Sequence, residues 1–190
     1  MLRFQRGEVS AFATLVDRHQ AALFTFVLRF VRTAPASEDI LQETFLRVVQ
    51  NAADYKHEAR FSTWLYAIAR NLCIDHLRKA SLRNHDSFDP PRADNEPSPA
   101  DRLADPHHAS SPERSALSHE LRDHLTQAVE ALPDDQREVF LLREVANLPF
   151  KEIAQLTGTP ENTVKSRMRY ALERLQEALA EFAHEAREPG

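Results

Sequence analysis

A chain of 190 residues, 42% hydrophobic and 28% charged, has the balance of a globular protein and is long enough for one ordinary domain or two small ones. No stretch is long and apolar enough to span a bilayer, and the opening MLRFQRGEVSAF lacks a secretory signal's apolar core and cleavage site, so a cytoplasmic location without membrane insertion is expected. The net charge of -5 is unevenly spread: residues 1–83 hold 12 basic and 8 acidic side chains, residues 84–118 hold 3 and 7, and residues 119–190 hold 9 and 14. A chain with an acidic total and a local basic face binds bare duplex DNA weakly by itself, because counterion release drives sequence-independent affinity. Three glycines and few alternating Val, Ile and Thr runs leave little from which to build strands, so an all-α fold is expected. The single cysteine, Cys73, has no partner for an internal disulfide.

From Glu8 to about Arg32, Phe12, Leu15, Val16, Leu23, Phe26, Val27 and Phe30 recur at steps of three and four, which predicts an amphipathic helix with one buried stripe. Thr33 to Pro35 breaks it, and Ser37 is placed to cap a second helix with Glu38 and Asp39 in its first turn. The second helix has an apolar face of Ile40, Leu41, Thr44, Phe45, Val48 and Val49, and a polar one of Asp39, Gln42, Glu43 and Arg47. A third helix runs from about Phe61 to Leu82, with Phe61, Leu65, Ile68, Leu72 and Cys73 inward and Arg70, Asn71, Arg78 and Lys79 more accessible. The loop from Asn51 to Arg60 carries Tyr55, Lys56 and Arg60 and is followed at once by Phe61 and Trp64; aromatics beside cations suit a splayed single strand, although Trp64 at helical spacing also suits a core.

Asn84 to about Ser118 holds six of the eleven prolines among Ser, Asp, Asn and His, and too few apolar residues to pack, so a flexible acidic linker is expected to join two small helical domains, 1–83 and 119–190. Beyond it, Leu117, Leu121, Leu125, Val129 and Leu132 mark one helix, and Pro133-Asp134-Asp135-Gln136 opens another with Val139, Phe140, Leu142 and Val145 on its apolar face. Phe150 to Leu175 then reads as two helices around a tight turn. Gly158 tolerates the positive φ that stops the first, and Thr159-Pro160 offers an N-cap oxygen and a pre-set φ to the second. Val164, Met168, Ala171, Leu172, Leu175 and Leu179 share one face, leaving Asn162, Lys165, Ser166, Arg169 and Glu173 outward with Arg167 and Arg174 beside them. Such a face suits major-groove readout, but the same spacing occurs in enzymes and helical bundles.

Catalytic chemistry finds no footing. His119-Glu120 and His124 imitate a zinc-protease helix, but the histidines are five apart and leave a common face; His107-His108 falls in the expected linker, and no Gly-rich phosphate loop or nucleophile elbow is present. No catalytic residue, metal or cofactor is expected.

Taken together, the motifs resemble those of the extracytoplasmic-function sigma factors, the small bacterial sigma-70 relatives with two domains. Ser37-Glu-Asp-Ile-Leu-Gln-Glu-Thr-Phe-Leu-Arg47 and Phe61-Ser-Thr-Trp-Leu-Tyr-Ala-Ile-Ala-Arg-Asn71, completed by Asp75 and Arg78, match the family's region 2; Leu132-Pro-Asp-Asp-Gln-Arg-Glu-Val139 and Thr163-Val-Lys-Ser-Arg167 fall at region 4 spacing. Pro149 stands where the family often has a capping serine, and Asn162 where glycine is frequent. The resemblance implies that Asp39, Gln42, Glu43 and Arg47 dock on the β′ clamp helices of RNA polymerase core, whose β flap is a further contact. It implies that the Asn51–Arg60 loop, with Tyr55, Lys56 and Arg60, acts together with Trp64 and Asn71 to capture the non-template strand of the minus-10 element while Arg70, Arg78 and Lys79 hold phosphates. It also implies that Asn162, Thr163, Lys165, Ser166, Arg167 and Arg169 contact the minus-35 element, and that an anti-sigma factor is a partner. Read without the resemblance, the residues also admit a stand-alone helix-turn-helix regulator with an amino-terminal sensing bundle, or a helical interaction protein that binds no DNA.

Overall fold

The computed structural model describes residues 1–56, 58–86 and 112–185, and among them every regular element is helical. A short α1 (Leu2–Gln5) precedes α2 (Val9–Val31), α3 (Ala34–Gln50), a single 3-10 turn (Ala52–Asp54) and α4 (Phe61–Asp86). The carboxy-terminal half comprises α5 (Pro112–Ala131), α6 (Asp134–Glu144), α7 (Phe150–Thr157) and α8 (Glu161–Glu185).

Helices α2, α3 and α4 pack on one another around Leu23, Phe26, Val27, Ile40, Val48, Leu65, Tyr66, Ala69 and Cys73. Fully burying a side chain such as Leu23 or Phe26 contributes about 1.5–3 kcal/mol, which is what holds so small a bundle together. Tyr66, outside the expected core stripe, lies across Phe26 with ring centroids 5.1 Å apart, and burial pushes its hydroxyl up to about 12. Cys73 is buried in the same core, its thiol likewise pushed up to about 12, so it is a packing residue rather than a nucleophile.

Three sequence expectations about this bundle need correction. The N-cap of α3 is Thr33 rather than Ser37: Pro35 is accommodated in the first turn, where no amide is needed, and Ser37 is buried one turn further on, donating its hydroxyl to the Thr33 carbonyl at 2.7 Å. Val49, expected inward, is 41% exposed because α3 reaches its end there. Helix α4 continues past Leu82 to Asp86.

In the second half α8 packs on α5, α6 and α7 around Val129, Leu132, Val139, Leu142, Leu148, Ile153, Val164, Met168, Ala171 and Leu175. The apolar stripe of α5 is covered only from Val129 onward, and Leu121, Leu125 and, on α8, Leu172 stay exposed, against the inward positions their spacing predicts. Residues 112–118, placed in the linker by composition, form the start of α5, whose first residue is Pro112, a position that needs no amide hydrogen. The remaining linker expectation, residues 87–111, lies outside the described residues.

Arg137 explains why α6 begins as it does. It is 4% exposed, and its Nη1 donates to the carbonyls of Glu130 at 3.4 Å and Leu132 at 3.2 Å while Nη2 donates to Asp134 Oδ1 at 2.8 Å. One guanidinium thus satisfies the carbonyl end of α5 and holds the first-turn acid of α6, fixing the corner between them. The two halves also touch, α2 against α6 and α4 against α7.

Candidate polymerase and nucleic-acid interfaces

The outer face of α3 carries the first candidate surface. Asp39 and Gln42 are exposed, and Glu43 and Arg47 are half-buried and paired to each other at 2.7 Å across one helical turn. Leu46, 49% exposed, shares this face with Val49, so the surface is an apolar strip edged by charge, not the purely polar one its sequence suggests. The signal was present in the sequence, since Leu46 falls on the polar side of the helical repeat.

The second candidate is the loop from Asn51 to Arg60. It is pinned from two sides. Gln5, on α1, donates through Nε2 to the carbonyls of Ala52 at 2.7 Å and Tyr55 at 3.0 Å, while the Tyr55 hydroxyl donates to the Ala59 carbonyl at 2.9 Å. Tyr55 is only 6% exposed, its ring 5.1 Å from Trp64 and 6.1 Å from Phe61. The expectation that Tyr55 offers an open face to a strand is therefore corrected: desolvation raises its hydroxyl pKa, and the residue shapes the loop from within. Lys56 and Arg60 remain exposed at the rim. Trp64 is half-buried against the core, so one part of its indole packs while the rest faces outward.

Along α4, Asn71 is exposed with its amide available to pair with a base edge. Arg78 is exposed and lies 3.3 Å from Asp75, and Lys79 is exposed next to it. Arg70 is different. Its side chain is 16% exposed and its Nε lies 2.5 Å from Oε1 of Glu138 on α6.

The third candidate is the α7–turn–α8 unit. Gly158 adopts φ 65° and its amide closes on the Ala154 carbonyl, as the turn reading expects. The Thr159 hydroxyl, expected to cap α8, instead donates to the Thr157 carbonyl at 3.4 Å and accepts from Arg167 Nη1 at 3.4 Å, and α8 starts at Glu161. Asn162, Thr163, Lys165, Ser166 and Arg169 all lie exposed on one side of α8, and Val164, Met168 and Ala171 are buried on the other. Arg167 is pulled inward, its Nε 2.9 Å from Asp135 Oδ2. Arg169 lies over the ring of Tyr170 at 4.8 Å and 3.6 Å from Glu173, and Tyr170, 46% exposed, adds an aromatic that the sequence reading missed.

No cluster of three or more His, Cys, Asp or Glu suited to a metal occurs among the described residues. His119 turns to Asp123 at 3.1 Å, whereas His124 donates to the Ala178 carbonyl at 3.1 Å, so the two imidazoles serve different neighbours.

Sequence comparison assigns both halves. Residues 15–83 match the Sigma-70 region 2 model and residues 122–175 the Sigma-70, region 4 model. The chain belongs to the extracytoplasmic-function sigma factors. It is 33% identical to the RNA polymerase sigma-H factor of Pseudomonas aeruginosa over 97% of this chain and 94% of that one. It is 30% identical to the ECF RNA polymerase sigma factor SigW of Bacillus subtilis over 94% of each chain. The fold is shared with the sigma factor RpoE solved in complex with the anti-sigma factor NepR from Bartonella quintana, with a TM-score of 0.70, 22% identity, and 90% and 98% of the two chains covered. The amino-terminal bundle is thus region 2, not the sensing domain of a stand-alone regulator. The family consists of transcription initiation factors, and no helix among the described residues is long and apolar enough to cross a membrane.

Proposed function

We propose that this sigma factor acts in the cytoplasm, without catalytic chemistry of its own, by docking on core RNA polymerase through the outer face of α3, with Asp39, Gln42, Glu43 and Arg47 around Leu46 and Val49. Region 2 captures the non-template strand of the minus-10 element with the pinned loop, Trp64 and Asn71, phosphates being held by Lys56, Arg60, Arg70, Arg78 and Lys79. Region 4 reads the minus-35 duplex with Asn162, Thr163, Lys165, Ser166 and Arg169, while Arg167 positions the helix and the backbone contact. An anti-sigma factor is the regulatory partner, by analogy with the complex of the related fold.

The observation that carries this reading is the presence, on the helix that follows the loop, of an exposed amide at Asn71, together with a loop held in shape by Gln5 and Tyr55. A preformed loop avoids the cost of ordering when it meets an unstacked base, and an amide supplies both a donor and an acceptor to that base. A base contact of this kind contributes roughly 1–3 kcal/mol. Asn71→Ala is therefore expected to co-purify with core RNA polymerase yet open duplex promoters about tenfold more slowly or worse, with partial rescue on a pre-melted bubble. Changing Asp39 and Glu43 together to alanine is expected to weaken core binding with no rescue by the bubble. Normal opening by Asn71→Ala would remove that residue from strand capture.

A further inference from the structure

The loop that precedes α4 depends for its shape on a side chain outside it. The 3-10 turn Ala52–Asp54 that opens the loop has no buried residue, and a groove of about 500 Å3 lined by Phe4, Gln5, Val49, Gln50, Ala52 and Ala53 runs between this turn, α1 and the end of α3. Packing of its own side chains therefore does not fix the turn. Its backbone bonds are long: the Asp54 amide donates to the Asn51 carbonyl at 3.1 Å, and the Tyr55 amide to the Ala52 carbonyl at 3.4 Å, past the usual N–H···O range. The bonds that Gln5 Nε2 donates, 2.7 Å to the Ala52 carbonyl and 3.0 Å to the Tyr55 carbonyl, are both shorter than these. An amide nitrogen carries two hydrogens, one for each carbonyl.

Four residues are too few for a helix to stand alone, so α1 is itself held in place. Phe4 lies against Phe12 of α2 with ring centroids 5.0 Å apart, and Phe12 meets Phe45 of α3 edge-on at 6.2 Å. Arg3 pairs with Glu8 at 2.6 Å around Gly7, whose φ of 95° lets the chain turn back on itself. The Gln5 amide is thus presented to the loop by the same bundle that carries Asn71.

We infer that Gln5 is a positioning residue for minus-10 recognition: it meets no base itself, but it sets the shape of the loop and, through that shape, which base the loop accepts. Discrimination between bases needs donors, acceptors and ring faces held to within a few tenths of an ångström. A turn closed only by its own long bonds flexes and meets several bases equally well. With Gln5 in place, Tyr55 is seated 5.1 Å from Trp64, and Lys56 and Arg60 are carried on the same pinned backbone. Minus-10 preference is therefore written partly in α1, outside the stretch that meets the strand.

This inference rests on the assignment of the loop to strand capture, and its test keeps the two apart. Trp64 is the single tryptophan of the chain, so its emission in the free full-length protein reports the loop without polymerase or DNA. Gln5→Glu keeps the shape of the side chain but replaces its two donor hydrogens with an anionic oxygen facing two carbonyls. It is expected to move Trp64 emission to longer wavelength and to increase its quenching by acrylamide. Holoenzyme carrying it is expected to open the preferred duplex promoter about tenfold more slowly and to lose roughly fivefold in discrimination among single-base variants of the minus-10 element, with core affinity unchanged. Gln5→Lys supplies donors again, and its added charge favours every sequence alike, so it is expected to restore both the emission and the discrimination. A packing role alone predicts the reverse order, with the isosteric Gln5→Glu behaving as wild type. Unchanged emission in Gln5→Glu, or failure of Gln5→Lys to restore the emission and the discrimination, overturns the hold of Gln5 on the loop. A loosened loop with undiminished discrimination overturns the positioning role. In that last case Asn71→Ala shows what has failed: slowed opening by that variant strikes out Gln5 alone, whereas normal opening strikes out strand capture as well.

Discussion

The cations of α4 and α8 are held in opposite ways. On α4, Arg70 is tied across the interface between halves in a pair largely shielded from water, whereas on α8 Lys165 and Arg169 pair with acids one turn away, Glu161 at 2.7 Å and Glu173 at 3.6 Å, with more than half of each basic side chain exposed. A shielded pair has lost its hydration and depends on its partner, while an exposed pair gains little and releases its cation cheaply. The difference separates a cation that must give up a shielded carboxylate before it can meet another anion from cations whose pairs exchange readily with water.

The strongest way to probe that contrast is to take a buried guanidinium that no DNA contact needs. Arg137→Ala strips three hydrogen bonds from the α5–α6 corner and is expected to destabilise region 4 by about 3 kcal/mol, read by urea unfolding followed through circular dichroism. Arg137→Lys is expected to recover only part of the loss, because an ammonium cannot reproduce the planar fork. Equal stability of wild type and Arg137→Ala would show that the corner is held by apolar packing alone.

Next in size is Arg169→Ala. With the Arg169 side chain 64% exposed, the change is expected to leave stability almost unchanged but to cost about 1–3 kcal/mol of discrimination at one base pair of the minus-35 element, measured by competition among promoter variants. A promoter profile indistinguishable from wild type would exclude base readout by this residue.

The smallest effect belongs to Arg167, which lies between the two extremes at 28% exposure and binds Asp135. Arg167→Ala is expected to reduce region 4 stability by at most about 1 kcal/mol and to weaken all minus-35 sequences alike. A sequence-selective loss would move Arg167 into the readout set and blur the contrast between anchoring and reading cations.

How far each half was legible follows from the range of the interactions involved. The helices of both bundles and the α7–α8 turn rest on local periodicity and on Gly158, which the sequence displays directly. Local signals also misled where two were in competition: Ser37 is as good a cap residue as Thr33, and only the packing of α3 on α2 decides that the chain turns helical before Pro35. Tyr55 looked available because loop aromatics are accessible when nothing covers them, and its burial depends on Gln5 some fifty residues earlier and on Trp64. The acids Glu138 and Glu152 carried no sequence signal for their roles, because on their own helices they are ordinary surface carboxylates and only the meeting of the two halves gives each a cationic partner.

The length of α8 has a mechanical consequence. At 25 residues the helix is roughly 37 Å long, and it is anchored along its buried face at Val164, Met168, Ala171 and Leu175. On one side Asn162 lies about 9 Å from Met168; on the other Ala178, gripped by His124, lies about 15 Å away. A rigid tilt about Met168 that moves the His124 end sideways by 1 Å would swing the Asn162 end by about 0.6 Å the other way, enough to spoil a base contact whose donors and acceptors must meet within a few tenths of an ångström. Substitutions at or around His124 on α5 are therefore expected to alter the minus-35 preference proposed for α8 without approaching DNA.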